Sequence, residues 1–119
     1  MHTNDALAAL AGLAQESRLA IFRLLIQAGQ AGLPAGKVGE QLGISSSALS
    51  FHLKELVHAD LVTSRQEGRF VIYTARFATM NALLGYLTEN CCAGEDCGLD
   101  AGCDLPAATG RKQVDSTQI

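Results

Sequence analysis

Residues 90–104 read NCCAGEDCGLDAGCD and hold all four cysteines of this 119-residue chain. Cys91, Cys92, Cys97 and Cys103 fall within thirteen residues, two of them adjacent, with three acids and no base among them and a fourth acid, Asp104, directly after. Thiolates are soft, nucleophilic donors, so the cluster points to a soft metal or metalloid guest, or to thiol redox chemistry. A disulfide framework would spread its cysteines along a secreted chain. Tetrahedral zinc favours pairs spaced by two to four residues, which makes an adjacent pair a poor half-site. Acidic neighbours raise thiol pKa and slow casual oxidation, and they favour a cationic guest.

The setting supports ligand binding. The opening MHTNDALAAL has neither a basic leader nor a long apolar run, so no signal peptide is expected. No stretch approaches a membrane span. The expectation is therefore a cytoplasmic protein with no membrane partner, in a reducing compartment where clustered cysteines bind metal or do redox chemistry. The chain lacks a CxxC motif, and no cysteine has a histidine base nearby in sequence. A thiol enzyme ranks last on those grounds, and no organic cofactor is expected.

The formal net charge is −3, which taken alone argues against a nucleic-acid partner. Its distribution changes that reading. Residues 1–88 carry seven bases and six acids, and residues 89–104 carry five acids and no base. The acidity belongs to the cysteine segment. The near-neutral remainder predicts weak non-specific DNA affinity, so specific binding would need geometry and a dimer. A chain of this length is one domain by its size, and small domains often dimerise.

The elements that must position these residues follow from period and punctuation. Asn4 and Asp5 can cap a first helix with Leu7, Leu10, Leu13 and the interleaved alanines on its apolar face. QESRLAIFRLLIQAG predicts a second helix with Leu19, Phe22, Leu25 and Ile26 inward and Gly29 at its end. QAGLPAG reads as a loop, GKVGEQLG as a short helix stopped by Gly43, and ISSSALSFHLKELVHA as a helix capped by Ser45. LVTSRQEGRFVIYTA shifts to β-branched and aromatic residues around a Gly68 turn, a hairpin. ATMNALLGYLTEN returns to helix with Met80, Leu83, Leu84 and Leu87 on one stripe. This order predicts a mainly α winged helix-turn-helix: about five helices and a two-stranded hairpin wing, paired as a homodimer. The expected organisation is a DNA-binding and dimerisation domain over 1–92, a Cys- and acid-rich ligand segment over 93–104 and a flexible tail over 105–119.

On a helical wheel over 45–59, Leu49, Leu53 and Leu56 form the core stripe. Ser47, Phe51, Lys54 and His58 point the other way, with Ser46 and Ser50 on the flanks near the N-terminal end. Small hydroxyls and an exposed Phe suit close approach to base edges and a thymine methyl. Arg65 and Arg69 flank the wing turn, within reach of phosphate or the minor groove. The candidate DNA-binding set is thus Ser46, Ser47, Ser50, Phe51, Lys54, Arg65 and Arg69. His52 lies at the edge of the core stripe and reads as a hydrogen-bonded structural residue. His58 and His2 read as surface.

LAQESRLAIFRLL, ISSSALSFHLKELVHADLV and RQEGRFVIYTA resemble the ArsR/SmtB family of metal-responsive repressors, over about residues 6 to 92. The resemblance implies a homodimeric winged-helix repressor, paired through its first and last helices, that leaves operator DNA when its inducer binds. One sensing site of that family is a Cys-x-Cys motif before the recognition helix, and GLPAGKVGEQLG has no Cys. Another uses His and acids on the last helix, and ATMNALLGYLTEN has no His and a single acid. ENCCAGEDC is similar to the arsenite-sensing branch, which implies Cys91, Cys92 and Cys97 as ligands. The spacing after the pair is shorter than in that branch and Cys103 is extra, so either Cys97 or Cys103 can be the third. Trivalent arsenic or antimony takes three sulfurs in a pyramid, which suits an adjacent pair and a third thiolate on a Gly-containing link. Another soft ion (Cd, Pb or Zn), thiol redox sensing, and a metalloid carrier without DNA binding remain open on the residues alone.

Overall fold

The computed structural model describes residues 1–91. The chain divides into two units, Met1–Tyr86 and Leu87 onward, and only Leu87–Cys91 of the second are described. Among the described residues the order is α1 (Thr3–Leu13), α2 (Glu16–Ala28), a 3-10 turn (Gly29–Ala31), β1 (Leu33–Pro34), α3 (Ala35–Leu42), α4 (Ser46–His58), β2 (Val62–Glu67), β3 (Phe70–Ala75) and α5 (Phe77–Leu87). This is the expected winged helix-turn-helix with five helices.

The sheet has one more strand than expected. β2 and β3 pair antiparallel from Val62↔Ala75 to Glu67↔Phe70, and β1 adds to the other edge of β3 through Leu33↔Tyr73 and Pro34↔Ile72. The strand order is β1-β3-β2. The QAGLPAG stretch is thus a 3-10 turn and a two-residue strand, with Pro at an edge where no ladder N–H is needed. Gly32 makes the approach to β3 possible. Its φ is +69°, and a Cβ there would collide with the Tyr73 carbonyl and lie 2.6 Å from Thr74 Oγ1.

Local signals place the helix ends. α1 starts two residues earlier than a cap at Asn4 would suggest: His2 is the cap, and its backbone N–H donates to Asp5 Oδ2 at 3.2 Å. Gln15 caps α2 by accepting from Arg18 N–H, and Gly29 ends it at φ 74°. Gly43 closes α3 in the left-handed conformation, and Ser45 caps α4. The last helix stops at Leu87, short of the expected Asn90. Asn90 itself has φ 58°, a conformation that Asn tolerates better than most residues.

One core joins the helices of Met1–Tyr86. Ile21, Phe22 and Leu25 of α2 pack with Val38 of α3, Leu49, Leu53 and Leu56 of α4, Ala6 and Ala9 of α1, and Leu83 of α5. Burying each leucine contributes roughly 2 kcal/mol before chain entropy is charged. Leu19 is not part of this core: it is 44% exposed, because it lies two residues before Ile21, about 200° round the helix. Between α1 and the end of α4 there is no spare room. A Cβ on Gly12 would come within 2.9 Å of both Ala59 Cβ and Leu61 Cδ1.

Candidate nucleic-acid interface

The α3–turn–α4 unit is held by its own backbone. Ile44 N–H donates to Gly39 O at 3.1 Å, and Leu49 N–H to Ser45 O at 2.8 Å. Ser45 Oγ accepts from Ala48 N–H at 3.4 Å, which satisfies one of the unpaired donors of the first turn. Gly39 lets α3 lie against α4: a Cβ there would sit 3.1 Å from the Ile44 carbonyl and 3.2 Å from Leu49 Cδ2. Leu49, Leu53 and Leu56 anchor α4 from within. Its outward rotation is therefore fixed by the core, and the residues on its other face are presented in a set order.

That face is the expected one. Ser46, Ser47, Ser50, Phe51, Lys54 and His58 are all exposed. Phe51 is 57% exposed, a large apolar cost to leave in water unless something covers it. Its ring meets His52 edge-on, with centroids 5.6 Å apart. His52 departs from expectation: its Nδ1 is buried and has no hydrogen-bond partner. The residue is held by packing and by the Phe51 ring rather than by a polar contact.

The wing separates the two arginines that sequence had grouped together. Gly68 turns the hairpin at φ 60°. Arg69, just past it, is exposed and takes part in none of the hydrogen bonds or ion pairs found among the described residues. Arg65 is turned onto the protein instead. Its Nε donates to Glu67 Oε2 at 2.6 Å, Nη1 to Thr74 Oγ1 at 3.1 Å and to Gln30 O at 3.4 Å, and Nη2 to Ala31 O at 2.8 Å. In this arrangement its fork is committed within the chain, whereas the sequence reading placed it within reach of phosphate or the minor groove. The cause is the 3-10 turn beside β3, whose carbonyls had no signature in the sequence.

Sequence reasoning also missed apolar surface next to the interface. Val57 on α4, and Phe70 and Val71 on β3, are exposed. An open cavity of about 530 Å³ lies between α3 and the wing, lined by Pro34, Lys37, Glu40, Phe70 and Ile72. Lys37 and Glu40 pair weakly at its rim, 3.8 Å apart and well solvated. Alternation along β3 puts Phe70 on the same parity as the buried Ile72 and Thr74, so period alone would have turned it inward; it lies beyond the rung that β1 reaches.

Comparison with known proteins agrees with this geometry. A helix-turn-helix domain model matches residues 13–65. The HTH-type transcriptional regulator YceK of Bacillus subtilis is 38% identical over 76 residues, covering 63% of this chain and 75% of that protein. An ArsR-like transcriptional regulator from Rhodococcus sp. RHA1 superimposes with a TM-score of 0.65 at 28% identity, over 76% of this chain and 82% of that one. HlyU of Vibrio cholerae gives a TM-score of 0.59 at 35% identity, over 73% of this chain and 97% of HlyU, which has also been solved reduced.

This chain belongs to the ArsR family of helix-turn-helix transcriptional regulators.

As a DNA-binding ArsR-family regulator it presents α4 and the wing on the surface and keeps its anchoring leucines inside. Among the described residues no helix is long and apolar enough to cross a membrane, and no three His, Cys, Asp or Glu side chains come together as a metal site. Of the cysteine ligands expected from sequence, only Cys91 is described. It is partly buried, follows α5 by four residues, and its N–H donates to Thr88 O at 2.9 Å. Cys92, Cys97 and Cys103, with the ligand segment 93–104 and the tail 105–119, lie outside the described residues.

Proposed function

We propose that this regulator is a homodimeric repressor that binds operator DNA through α4 and the wing and is released when trivalent arsenic or antimony is captured by its cysteines. Ser46, Ser47, Ser50, Phe51 and Lys54 would meet base edges and phosphate, and Arg69 would reach phosphate from the wing. The ligands would be Cys91, Cys92 and either Cys97 or Cys103. The observation that carries the reading is the crowding of all four cysteines into thirteen residues that begin just past α5. Three thiolates supply the soft, pyramidal donor set that trivalent arsenic takes.

Dimer pairing is supported by α5 itself. Leu84 and Leu87 stay more than half exposed, and α1 adds exposed Leu7 and Leu10. Tyr86 Oη and Thr3 Oγ1 lie 2.6 Å apart, which holds the start of α1 against the end of α5. In a two-fold dimer the recognition helices must match half-sites about one duplex turn apart. A guest that binds one arrangement of the dimer better than the other shifts operator affinity by its coupling free energy, commonly about 1–3 kcal/mol.

The deciding experiment replaces Cys91 and Cys92 by Ser and follows operator binding in a mobility-shift assay. The expected result is undiminished binding without arsenite and no release with it. Release of the double variant by arsenite would show that the ligands are misassigned. A second reading, thiol redox sensing, draws on the cluster's thiol chemistry and on the likeness to HlyU. It is favoured if mild peroxide forms a disulfide rapidly and abolishes operator binding in the absence of metalloid.

A further inference from the structure

We infer that Arg65 is a positioning residue of the wing: it straps β2 and β3 to the turn that leads into β1 and sets where Arg69 and the wing tip meet DNA. The inference rests on the DNA-binding reading above and deepens it.

Register shows why a strap is needed. Arg65 pairs across β2–β3 with Ile72, and Ile72 pairs on its other side with Pro34. That rung is the last one spanned by three strands. Beyond it only Gln66↔Val71 and Glu67↔Phe70 remain, closed by the Gly68 turn. A two-stranded ribbon with no third partner is marginally stable in water. The wing tip therefore depends on what fixes its base.

The Arg65 side chain supplies that fixation. From β2 it donates to Thr74 Oγ1 on β3 and continues to the carbonyls of Gln30 and Ala31, which lead into β1. Its Nε holds Glu67, two residues along β2 toward the turn. One guanidinium thus ties β2, β3, the approach to β1 and the wing-tip carboxylate. Thr74 is 7% exposed, and Arg65 is the partner found for its hydroxyl. Pulling Arg65 out to phosphate would strand that hydroxyl and release Glu67 beside the DNA. A planar fork with five donors suits this set of acceptors, and an ammonium on a flexible stem does not.

Phosphate contact and strapping make opposite forecasts. A side chain that neutralises a phosphate contributes about 0.9 to the slope of log K against log salt, and a lysine replaces much of it. A strap contributes nothing to that slope, and lysine cannot restore it. The test compares R65K, R65Q, T74V and R69Q on an operator fragment selected from random duplexes, at several salt concentrations. Amide hydrogen exchange on the free proteins, read over Phe70–Tyr73, gives a second measure. R65K and R65Q are expected to lose about tenfold in affinity, the scale of a charged hydrogen bond or two, with the salt slope unchanged and faster exchange in β3. T74V should move both readouts the same way by less. R69Q should lower the slope by about 0.9 and leave β3 exchange as it was.

Wild-type affinity in R65K together with a slope reduced by about 0.9 in R65Q would overturn the inference, and so would unchanged β3 exchange in R65K. If R65Q does not fold, R65K and T74V decide the matter. A wild-type protein that binds no duplex at all sinks the DNA-binding reading instead, and the exchange measurement then scores the strap by itself.

Discussion

Helices α4 and α5 are built from similar materials and end up in different situations. Each is amphipathic by pattern and each leaves large apolar side chains exposed. α4 buries Leu49, Leu53 and Leu56 and has a side-chain cap at Ser45. α5 buries only Leu83 among its residues, and its outer leucines Leu84 and Leu87 stay in water. The first helix is finished by its own chain, and what it exposes can be read as a presented surface. The second is unfinished, and what it exposes asks for a partner. Exposed apolar area means different things according to whether the element that carries it is already anchored.

The largest effect expected from this contrast is on the anchored helix. Leu56→Ala should cost about 3 kcal/mol of stability, since its side chain is fully buried in the core. Chemical denaturation measures it, and a loss under about 1 kcal/mol would mean α4 is not fixed by the core as described. Next comes the unfinished helix. Leu84→Glu with Leu87→Glu should weaken self-association by about thirtyfold, on the order of 2 kcal/mol from buried leucine. Stability of the separated chain should change by no more than about 0.5 kcal/mol. Sedimentation equilibrium and thermal melts together test this, and a variant that stays as dimeric as wild type removes α5 from the pairing surface. Ser45→Ala should then cost about 1 kcal/mol through the lost cap, visible as a lower denaturation midpoint. The smallest effect is expected for Tyr86→Phe. It removes an exposed hydroxyl contact and should shift stability by about 0.5 kcal/mol. A much larger shift in the denaturation midpoint would show that the end of α5 is better anchored than its exposed leucines suggest.

The parts of this molecule that were legible in sequence share a physical trait: they depend on local pattern. Leu49, Leu53 and Leu56 announce themselves by helical spacing, and Gly29, Gly43, Gly68 and Ser45 by what their own backbones must do. The parts that were not legible depend on residues distant in the chain. A strand of two residues has no period, so Leu33–Pro34 showed only as a Gly- and Pro-containing loop. Arg65 looked like any wing arginine, because its acceptors at Gln30 and Ala31 lie more than thirty residues away. His52 was placed correctly at the core's edge, yet nothing local shows whether a buried nitrogen finds a donor. Leu19 satisfied the helical period in one direction but lay opposite Ile21, and only the packing chooses between the two faces. The cysteine cluster was the plainest chemical signal in the sequence, yet only Cys91 falls among the described residues.

Gly12 carries a final consequence. With its missing side chain pressed between Ala59 and Leu61, the first helix and the rear of the reading helix share a joint with no clearance for a methyl group. Contact that close resists pressing one against the other at this point. A displacement of the opening helix toward that joint would therefore press directly on the trailing end of α4.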